Sequence, residues 1–344
     1  MTPEETSDAS VPAAAGDPES PRLIFGIFPG MTGAEALDTA TAATSYDPAR
    51  TDDALTRLQP PGRPFVVRGY AVYRGDGRVE NRTPPDVEHY LHGERVLDYV
   101  LCYRPEDGNI DDWTAFVRRV VRKIGERPTT LQVTEEPNNP HADSGGDGSS
   151  PNVRQALVEG VVAAKDEARR NGFEFEVGFA ATPSFNPTDD FWADLASRST
   201  PAFSESLDYV GLDFYPDVFR PVPEGRLPAA VEGVLTHFRQ VNLVAAGIGA
   251  AVPVRVTENG WPTGPGRSAD RQAEVLETVV RVVDRQRTKL NITHYEFFLL
   301  RDGDSGRPEM GAQFGLLRHD YAVKPAFDVY RRLIAELGAD KWPA

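Results

Sequence analysis

The sequence lacks several features that mark whole classes of protein. It has one cysteine, Cys102, so no disulfide can form within the chain, and we expect this residue to be a small buried side chain of a strand. The six histidines show neither HxH nor HExxH spacing, and no strand leads into a GxGxxG or phosphate-binding loop. We therefore predict no metal site and no cofactor. No run of about 18 or more apolar residues occurs, so no membrane-spanning helix is predicted.

Positive charge is scarce. The chain of 344 residues has 37 lysines and arginines against 52 acidic residues, giving a net charge of -15. Phosphate binding needs clustered basic residues, so neither a nucleic acid nor an anionic membrane surface is predicted as a partner. Residues 1–21 are acidic and rich in Pro, Ala and Ser, without the basic and apolar regions of a secretory signal. We predict a disordered leader there and a cytoplasmic location.

From residue 22 onward, short apolar runs alternate with longer amphipathic segments. The apolar runs are nearly continuous, as in parallel strands buried on both faces. Eight strands are predicted, at 23–30, 65–73, 96–103, 129–137, 175–183, 207–216, 252–262 and 292–300. Eight helices are predicted, at 47–58, 84–94, 111–126, 151–172, 189–199, 228–246, 268–288 and 324–338. Eight β/α units predict an α/β fold, a closed (β/α)8 TIM barrel, as a single domain over residues 22–344.

Two glutamates follow predicted strands in similar surroundings. Glu136 stands in "VTEEPNN" after the fourth predicted strand, and Glu258 stands in "VRVTENGWPTG" after the seventh. Barrel enzymes build their active sites at the C-terminal ends of the strands, and these two strands lie nearly opposite each other. Glycoside hydrolysis requires two carboxylates across a gap, one as proton donor and one as nucleophile or base. The pattern therefore indicates a glycosidase with these two residues as catalytic groups.

The sequence resembles clan A of the glycoside hydrolases, a group of (β/α)8 retaining enzymes, over about residues 22 to 340. "EEPN" is similar to the clan's Asn-Glu-Pro motif, which implies that Glu136 is the acid/base, and "TENGWP" implies that Glu258 is the nucleophile. "VGLDFYP" resembles the strand whose tyrosine binds the nucleophile, which implicates Tyr215. "VRGYAVY" resembles the strand whose arginine steadies its charge, which implicates Arg68. The "GWP" continuation is similar to β-1,3-glucanases, and the C-terminal unit resembles poorly characterised actinobacterial members.

Glu135 departs from the pattern of the clan. The clan usually has asparagine at this position, donating to the sugar's 2-hydroxyl, and an ionised glutamate cannot donate. Either Glu135 binds another substituent, such as an amine or a cation, or it pairs with an arginine. A third interpretation is that the barrel no longer hydrolyses glycosides. A like charge beside Glu136 would also raise the pKa of that residue, which suits a general acid.

Other substrate contacts are predicted around the two catalytic glutamates. The clan's sugar-stacking tryptophan on the eighth strand is replaced here by Phe297 or Phe298, of which we take Phe298 as the contact. Trp261 is a second candidate for stacking. Asn138, which follows the acid/base motif, is included as a polar contact.

The predicted activity is hydrolysis of a β-linked glycoside with retention, through a covalent glycosyl-enzyme intermediate. Glu258 attacks the anomeric carbon, and Glu136 first protonates the departing oxygen and then activates water. Their carboxyl groups should lie about 5–5.5 Å apart. The expected partner is a carbohydrate, with fragments of β-glucan or other polysaccharides first. The alternative is a catalytically silent barrel that binds carbohydrate or a protein; a barrel lyase or isomerase would need a metal or phosphate site that the sequence does not show.

Overall fold

The structure is a computed structural model that describes residues 21–30, 46–81, 84, 86–127, 129–141 and 145–342. Residues 1–20, which hold nearly all of the predicted leader, lie outside the described residues. The strands and helices are numbered below in chain order within the described part.

Eight parallel strands form a closed barrel. The strand β1 pairs with β2 on one side and with β9 on the other, which closes the ring and confirms the predicted (β/α)8 fold. A ninth strand, β3, runs antiparallel to the end of β2. Cys102 is fully buried in β4, as predicted. The strands are β1 (Ile24–Ile27), β2 (Phe65–Tyr73), β3 (Val79–Asn81), β4 (Arg95–Tyr103), β5 (Thr129–Val133), β6 (Phe175–Ala181), β7 (Tyr209–Asp213), β8 (Val254–Asn259) and β9 (Ile292–Phe297).

Helices connect the strands, and local sequence fixes where several of them begin. Asn109 caps α2 by accepting from the backbone N–H of Asp112 at 3.2 Å, and Ser268 caps α8 by accepting from Arg271 at 3.1 Å. No helix within the described ranges combines the length and apolar character needed to cross a bilayer. The helices are α1 (Pro48–Leu58), α2 (Ile110–Ile124), α3 (Val153–Asn171), α4 (Phe191–Arg198), α5 (Pro201–Ser206), α6 (Leu227–His237), α7 (Leu243–Ala245), α8 (Ala269–Leu290) and α9 (Pro325–Leu337).

One helix prediction needs correction. The helix predicted at 84–94 is wrong: the described residues there form only the single 3₁₀ turn Val87–Tyr90, and Gly93 has a left-handed φ of 64° that helices do not adopt. A cavity of about 390 Å³ lies against the outer face of β2 and β4, lined in part by Val87, Leu97 and Phe116. The helix predicted at 228–246 contains a π-helical segment, Phe238–Asn242, between α6 and α7.

The centre of the barrel is polar rather than hydrophobic. The guanidinium of Arg68 donates to the carboxylate of Asp98, which also accepts from the hydroxyl of Thr130 at 2.7 Å. On the other side of the barrel, the guanidinium of Arg255 stacks over the ring of Tyr209 at 4.0 Å. All of these side chains are buried. Charged groups in such a place are tolerated because they are paired, and the pairing ties neighbouring strands together.

We predict that Gly160→Ala destabilises the protein. Gly160 lies in α3 where it packs against α2 and the barrel, and a Cβ there would lie 2.7 Å from both Trp113 Nε1 and Val133 Cγ1. The overlap should lower the free energy of unfolding by about 1–3 kcal/mol. The matched control is Gly233→Ala in α6, where a Cβ meets nothing within 4 Å, and which should stabilise by about 0.5–1 kcal/mol. Urea unfolding followed by circular dichroism measures both, and equal effects would contradict the predicted contact.

Candidate active site

The guanidinium of Arg68 lies at the centre of the C-terminal end of the barrel and is fully buried. Besides its ion pair with Asp98 on β4, its Nη2 donates to Oε1 of Gln132 at 2.9 Å. The same nitrogen lies 3.5 Å from Oε2 of Glu135 and 3.7 Å from Oε1 of Glu258. A buried guanidinium needs carboxylate partners, and Arg68 finds them on three other parts of the barrel. It therefore brings Glu135 and Glu258 together from opposite sides.

Glu258, near the end of β8, is held by hydroxyl groups from two strands. Tyr215 donates to its Oε2 at 2.6 Å, and Tyr70 donates to its Oε1. The Nε of Arg68 donates in turn to the Tyr70 hydroxyl at 2.7 Å. Tyr70 follows Arg68 by two residues on β2, so both side chains point to the same face. These contacts fix both carboxylate oxygens of Glu258 in one orientation.

Glu135 and Glu136 stand in a tight turn immediately after β5, which ends at Val133. The backbone of Thr134 has a φ of 67° and that of Glu136 a φ of 40°, in the left-handed region that such residues rarely adopt. The two glutamates therefore diverge. Glu135 points inward and accepts from Gln132, whereas Glu136 accepts from Nδ2 of Asn139 at 2.7 Å.

A single carboxylate, that of Asp147, holds this turn in place. Its Oδ2 accepts from the backbone N–H of Glu135 at 2.8 Å and of Tyr103 at 2.6 Å. Its Oδ1 accepts from Nε of Arg104 at 2.9 Å. Asp147 itself is fully buried, and its own N–H donates to the carbonyl of Glu135 at 2.7 Å. These bonds offset the backbone strain of the turn and fix it to the end of β4.

The surroundings of Glu136 suit a group that gives up a proton. Burial, together with the charge of Glu258, raises its pKa to about 8, although the bond from Asn139 acts in the opposite direction. A carboxyl with such a pKa keeps its proton at neutral pH and can donate it to a departing oxygen. Glu136 is 8 % exposed, so this donor lies at the edge of the buried cluster.

Three buried carboxylates meet beside Arg68. Glu135, Glu258 and Asp213, the last residue of β7, each place one carboxylate oxygen within 4.8 Å of the others, an arrangement that can hold a cation. Asp213 accepts from the hydroxyl of Thr257 at 2.6 Å through Oδ1. Burial and the charge of Glu258 raise the pKa of Glu135 and the pKa of Asp213 well above their usual range. Burial and like charge therefore favour the protonated forms of Glu135 and Asp213.

Of the two phenylalanines at the end of β9, Phe298 is the one beside the cluster. Its ring packs edge-on against Tyr215 with centroids 5.6 Å apart, and edge-on against Phe314 at 5.5 Å. Phe297 instead packs on Tyr330 in the core, at 5.7 Å. Phe298 therefore lies next to the tyrosine whose hydroxyl holds Glu258, and its contact with a sugar stays a prediction.

The two remaining predicted contacts are engaged by the protein itself. Trp261 is 5 % exposed and donates from Nε1 to the carbonyl of Asp217 at 3.1 Å. The side-chain amide of Asn138 donates to the carbonyl of Thr182 at 2.8 Å and accepts from its N–H at 3.0 Å. Asn138 thereby connects the turn after β5 to the end of β6.

Five residues of the site were not identified from the sequence. Tyr70 could have been found, because it follows Arg68 at the spacing of a strand, and Asp213 could have been found from its place two residues before Tyr215. Asp98 and Gln132 lie inside strands and carry no comparable signal. Asp147 comes from a loop whose composition gave no indication of a buried carboxylate. The residues concerned are Tyr70, Asp98, Gln132, Asp147 and Asp213.

Comparisons with known proteins identify related folds. No protein-family model matches the sequence, and no curated protein matches it. The apo structure of a β-glucosidase, 1317, is 16% identical with a TM-score of 0.58, over 92% of this chain and 100% of that one. A β-glucuronidase from Ruminococcus gnavus, in complex with uronic deoxynojirimycin, is 13% identical with a TM-score of 0.57, over 91% and 49%. A GH2 β-galacturonidase from Eisenbergiella tayi, bound to galacturonate, is 11% identical with a TM-score of 0.58, over 93% and 52%.

The chain thus spans about half the length of the β-glucuronidase and the β-galacturonidase and the whole of the β-glucosidase. At such low identity, the likeness shows the (β/α)8 barrel fold.

We predict that Asp213→Asn stabilises the protein increasingly as pH rises. The pKa of Asp213 is higher in the folded than in the unfolded chain, so the wild type loses stability as pH rises from about 3.9 through the raised value. The asparagine variant carries no such charge. Its advantage in free energy of unfolding should grow by about 1–3 kcal/mol between about pH 4.5 and about pH 8.

Urea titrations of both proteins at the two pH values measure this gap. Glu309→Gln, at an exposed glutamate, is the control and should show no pH-dependent gain. A variant that is less stable than wild type at both pH values would contradict the predicted relief of buried charge.

Proposed function

We propose that this protein is a retaining glycoside hydrolase that acts on β-linked glycosides. The observation that carries the proposal is the buried carboxylate of Glu258, oriented by Tyr70, Tyr215 and Arg68 at the end of β8, with the Glu135–Glu136 turn across from it at the end of β5. Under this proposal, Glu136 and Glu258 supply the two carboxyl groups that hydrolysis with a covalent intermediate needs.

In the first step, an oxygen of Glu258 attacks the anomeric carbon while the carboxyl of Glu136 gives its proton to the departing glycosidic oxygen. The bond from the anomeric carbon to that oxygen breaks, and a glycosyl ester on Glu258 forms. In the second step, the Glu136 carboxylate takes a proton from water, whose oxygen attacks the anomeric carbon and releases Glu258. Arg68, with Nη2 3.7 Å from Oε1, attracts the negative charge that returns to Glu258.

The structural neighbours support a glycosidase over other barrel activities. They are named as a β-glucosidase, a β-glucuronidase and a β-galacturonidase, and two of them hold sugar-like or sugar-acid ligands. Under this proposal the chain is a member of clan A, and its residues 22–344 act as one catalytic domain. Glu136 and Glu258 are the catalytic residues, and Arg68 and Tyr215 position the nucleophile.

The second candidate function is a catalytically silent barrel that binds carbohydrate or a protein partner. The observation that favours it is the enclosure of the cluster: Glu135, Glu136 and Glu258 are only 3 %, 8 % and 4 % exposed. A fold shared with hydrolases does not by itself carry their activity. The two candidates differ in whether Glu258 ever becomes covalently attached to a sugar.

We predict that 2-deoxy-2-fluoro aryl β-glycosides label Glu258, as seen by mass spectrometry of the digested protein. Glu258→Ala should lower kcat about 10⁴-fold, because the nucleophile is lost. Added azide should rescue this variant and give the glycosyl azide of inverted configuration. Azide should rescue Glu136→Ala with retained configuration, because it replaces the base-activated water.

Glu135→Ala is the matched control and should show no azide rescue. If azide rescues it in place of the Glu136 variant, Glu135 is the acid/base. Sugar binding without labelling or turnover would favour the silent barrel.

We predict a basic limb in the pH profile of kcat/KM. For a glycoside with a poor leaving group, activity should fall as pH rises through about 8, because Glu136 then loses the proton that it must donate. Dinitrophenyl glycosides leave without a proton, so Glu136→Gln should hydrolyse them with a kcat/KM within about tenfold of wild type and without that limb. A limb that persists in this variant would assign it to another group.

A further inference from the structure

The C-terminal end of the barrel holds more buried acidic groups than basic ones. Four carboxylates, those of Glu135, Glu136, Asp213 and Glu258, are each at most 8 % exposed. Arg68 contacts two of them and is shared with Asp98. An uncompensated charge in such an environment is costly, so the cluster is stable only if it takes up protons or a cation.

An unpaired oxygen of Asp213 is a second observation that points to a ligand with a hydrogen-bond donor. Its Oδ1 accepts from Thr257, but its Oδ2 has no hydrogen-bond partner among the described residues, although the side chain is only 1 % exposed. Buried carboxylate oxygens nearly always have a donor. One oxygen of this carboxylate lies within 4.8 Å of an oxygen of Glu135 and of Glu258, so a donor placed among the three carboxylates can reach Asp213.

The spacing of the three carboxylates suits an ammonium group. Because the three oxygens lie within 4.8 Å of one another, a nitrogen on one side of their plane can lie about 2.8 Å from each, which is the length of a charged N–H···O bond. An ammonium has three N–H donors, one for each of the three carboxylates. Calcium needs six to eight oxygen ligands, and a divalent ion would lie beside the guanidinium of Arg68.

We propose that Glu135, Asp213 and Glu258 bind the protonated amine of an amino sugar, so that the substrates are β-linked 2-amino-2-deoxy glycosides. This rests on the proposed function, which places the anomeric carbon C1 against Glu258. The substituent on C2 is bonded to the neighbouring carbon and therefore lies beside the same carboxylate. Glu135 then accepts a hydrogen bond from the cationic amine through a negatively charged group. A neutral asparagine at this position would lack that charge.

The cluster should reject sugars that lack the charged amine. A 2-hydroxyl has one O–H donor and no charge, so it leaves two of the three carboxylates without a donor. A 2-acetamido group has one neutral N–H and added bulk. Sites that lose a required buried hydrogen bond discriminate by up to about 10⁴–10⁵ in kcat/KM.

Kinetics with matched aryl β-glycosides test the preference. The 2-amino-2-deoxy-β-D-glucoside should have a kcat/KM at least about 100-fold above those of the β-D-glucoside and the N-acetylated compound. Asp213→Asn and Glu135→Asn should each lower this ratio at least about tenfold, because each removes one charge from the amine site. Glu309→Gln, at an exposed glutamate, should leave the ratio unchanged. Far-UV circular dichroism and thermal unfolding check that every variant is folded.

Calorimetric binding of D-glucosamine, D-glucose and N-acetylglucosamine to the EDTA-treated wild-type protein separates the two proposals. Selective binding of D-glucosamine that Asp213→Asn abolishes supports the amine site, even if no glycoside is hydrolysed and the proposed hydrolase fails. Hydrolysis through Glu258 with the β-D-glucoside preferred would overturn the amine site while the hydrolase stands. Stoichiometric binding of calcium, magnesium or zinc, lost in Asp213→Asn, together with no binding of D-glucosamine, would also overturn it in favour of a metal site.

Discussion

The buried ion pair of Arg68 is the interaction on which the rest of the site depends. Its guanidinium starts on β2 and reaches Asp98 on β4, Gln132 on β5 and the two glutamates that follow β5 and β8. Without a positive charge at this point, these carboxylates would repel one another in a medium that screens them poorly. The same group therefore stabilises the barrel and brings the carboxyl groups of the candidate site to a common point.

Charge is distributed unevenly along the barrel. Inside the barrel Arg68 pairs with Asp98, and the buried guanidinium of Arg255 pairs at 2.6 Å with Glu176, whose side chain is half-exposed. At the C-terminal end the carboxylates outnumber the guanidinium that contacts them. In barrel proteins the C-terminal strand ends usually serve function, while the remainder serves stability. Arg68 contributes to both parts of the barrel. It pairs with Asp98 in the interior and contacts Glu135 and Glu258 at the C-terminal end.

The sequence predicts the barrel well because its evidence is periodic: each of the eight apolar runs became a strand. The helix predicted at 84–94 was wrong because a few apolar residues at helical spacing do not outweigh Gly93, whose left-handed backbone follows the turn Val87–Tyr90. Glu258 was predicted because it stands at the end of a predicted strand, opposite a second glutamate in similar surroundings, whereas Arg68 and Tyr215 were implicated by the resemblance of their strands to clan A. The divergence of Glu135 from Glu136 could not be predicted, because it depends on left-handed backbone angles that follow from contacts with Asp147.

The hydrogen bonds that Asp147 makes to the turn after β5 also bear on how this barrel can change over evolution. The turn that carries both glutamates is fixed at one end by β5 and at the other by one carboxylate that bonds to the backbone of Glu135 and Tyr103. Of the residues between Asn139 and Asp147 that the structure describes, none contributes one of these bonds. Insertions or deletions in that segment can therefore alter the rim of the site while the two glutamates keep their positions. The segment between Asn139 and Asp147 is therefore a place where substrate specificity can change while the carboxyl groups of the candidate site keep their positions.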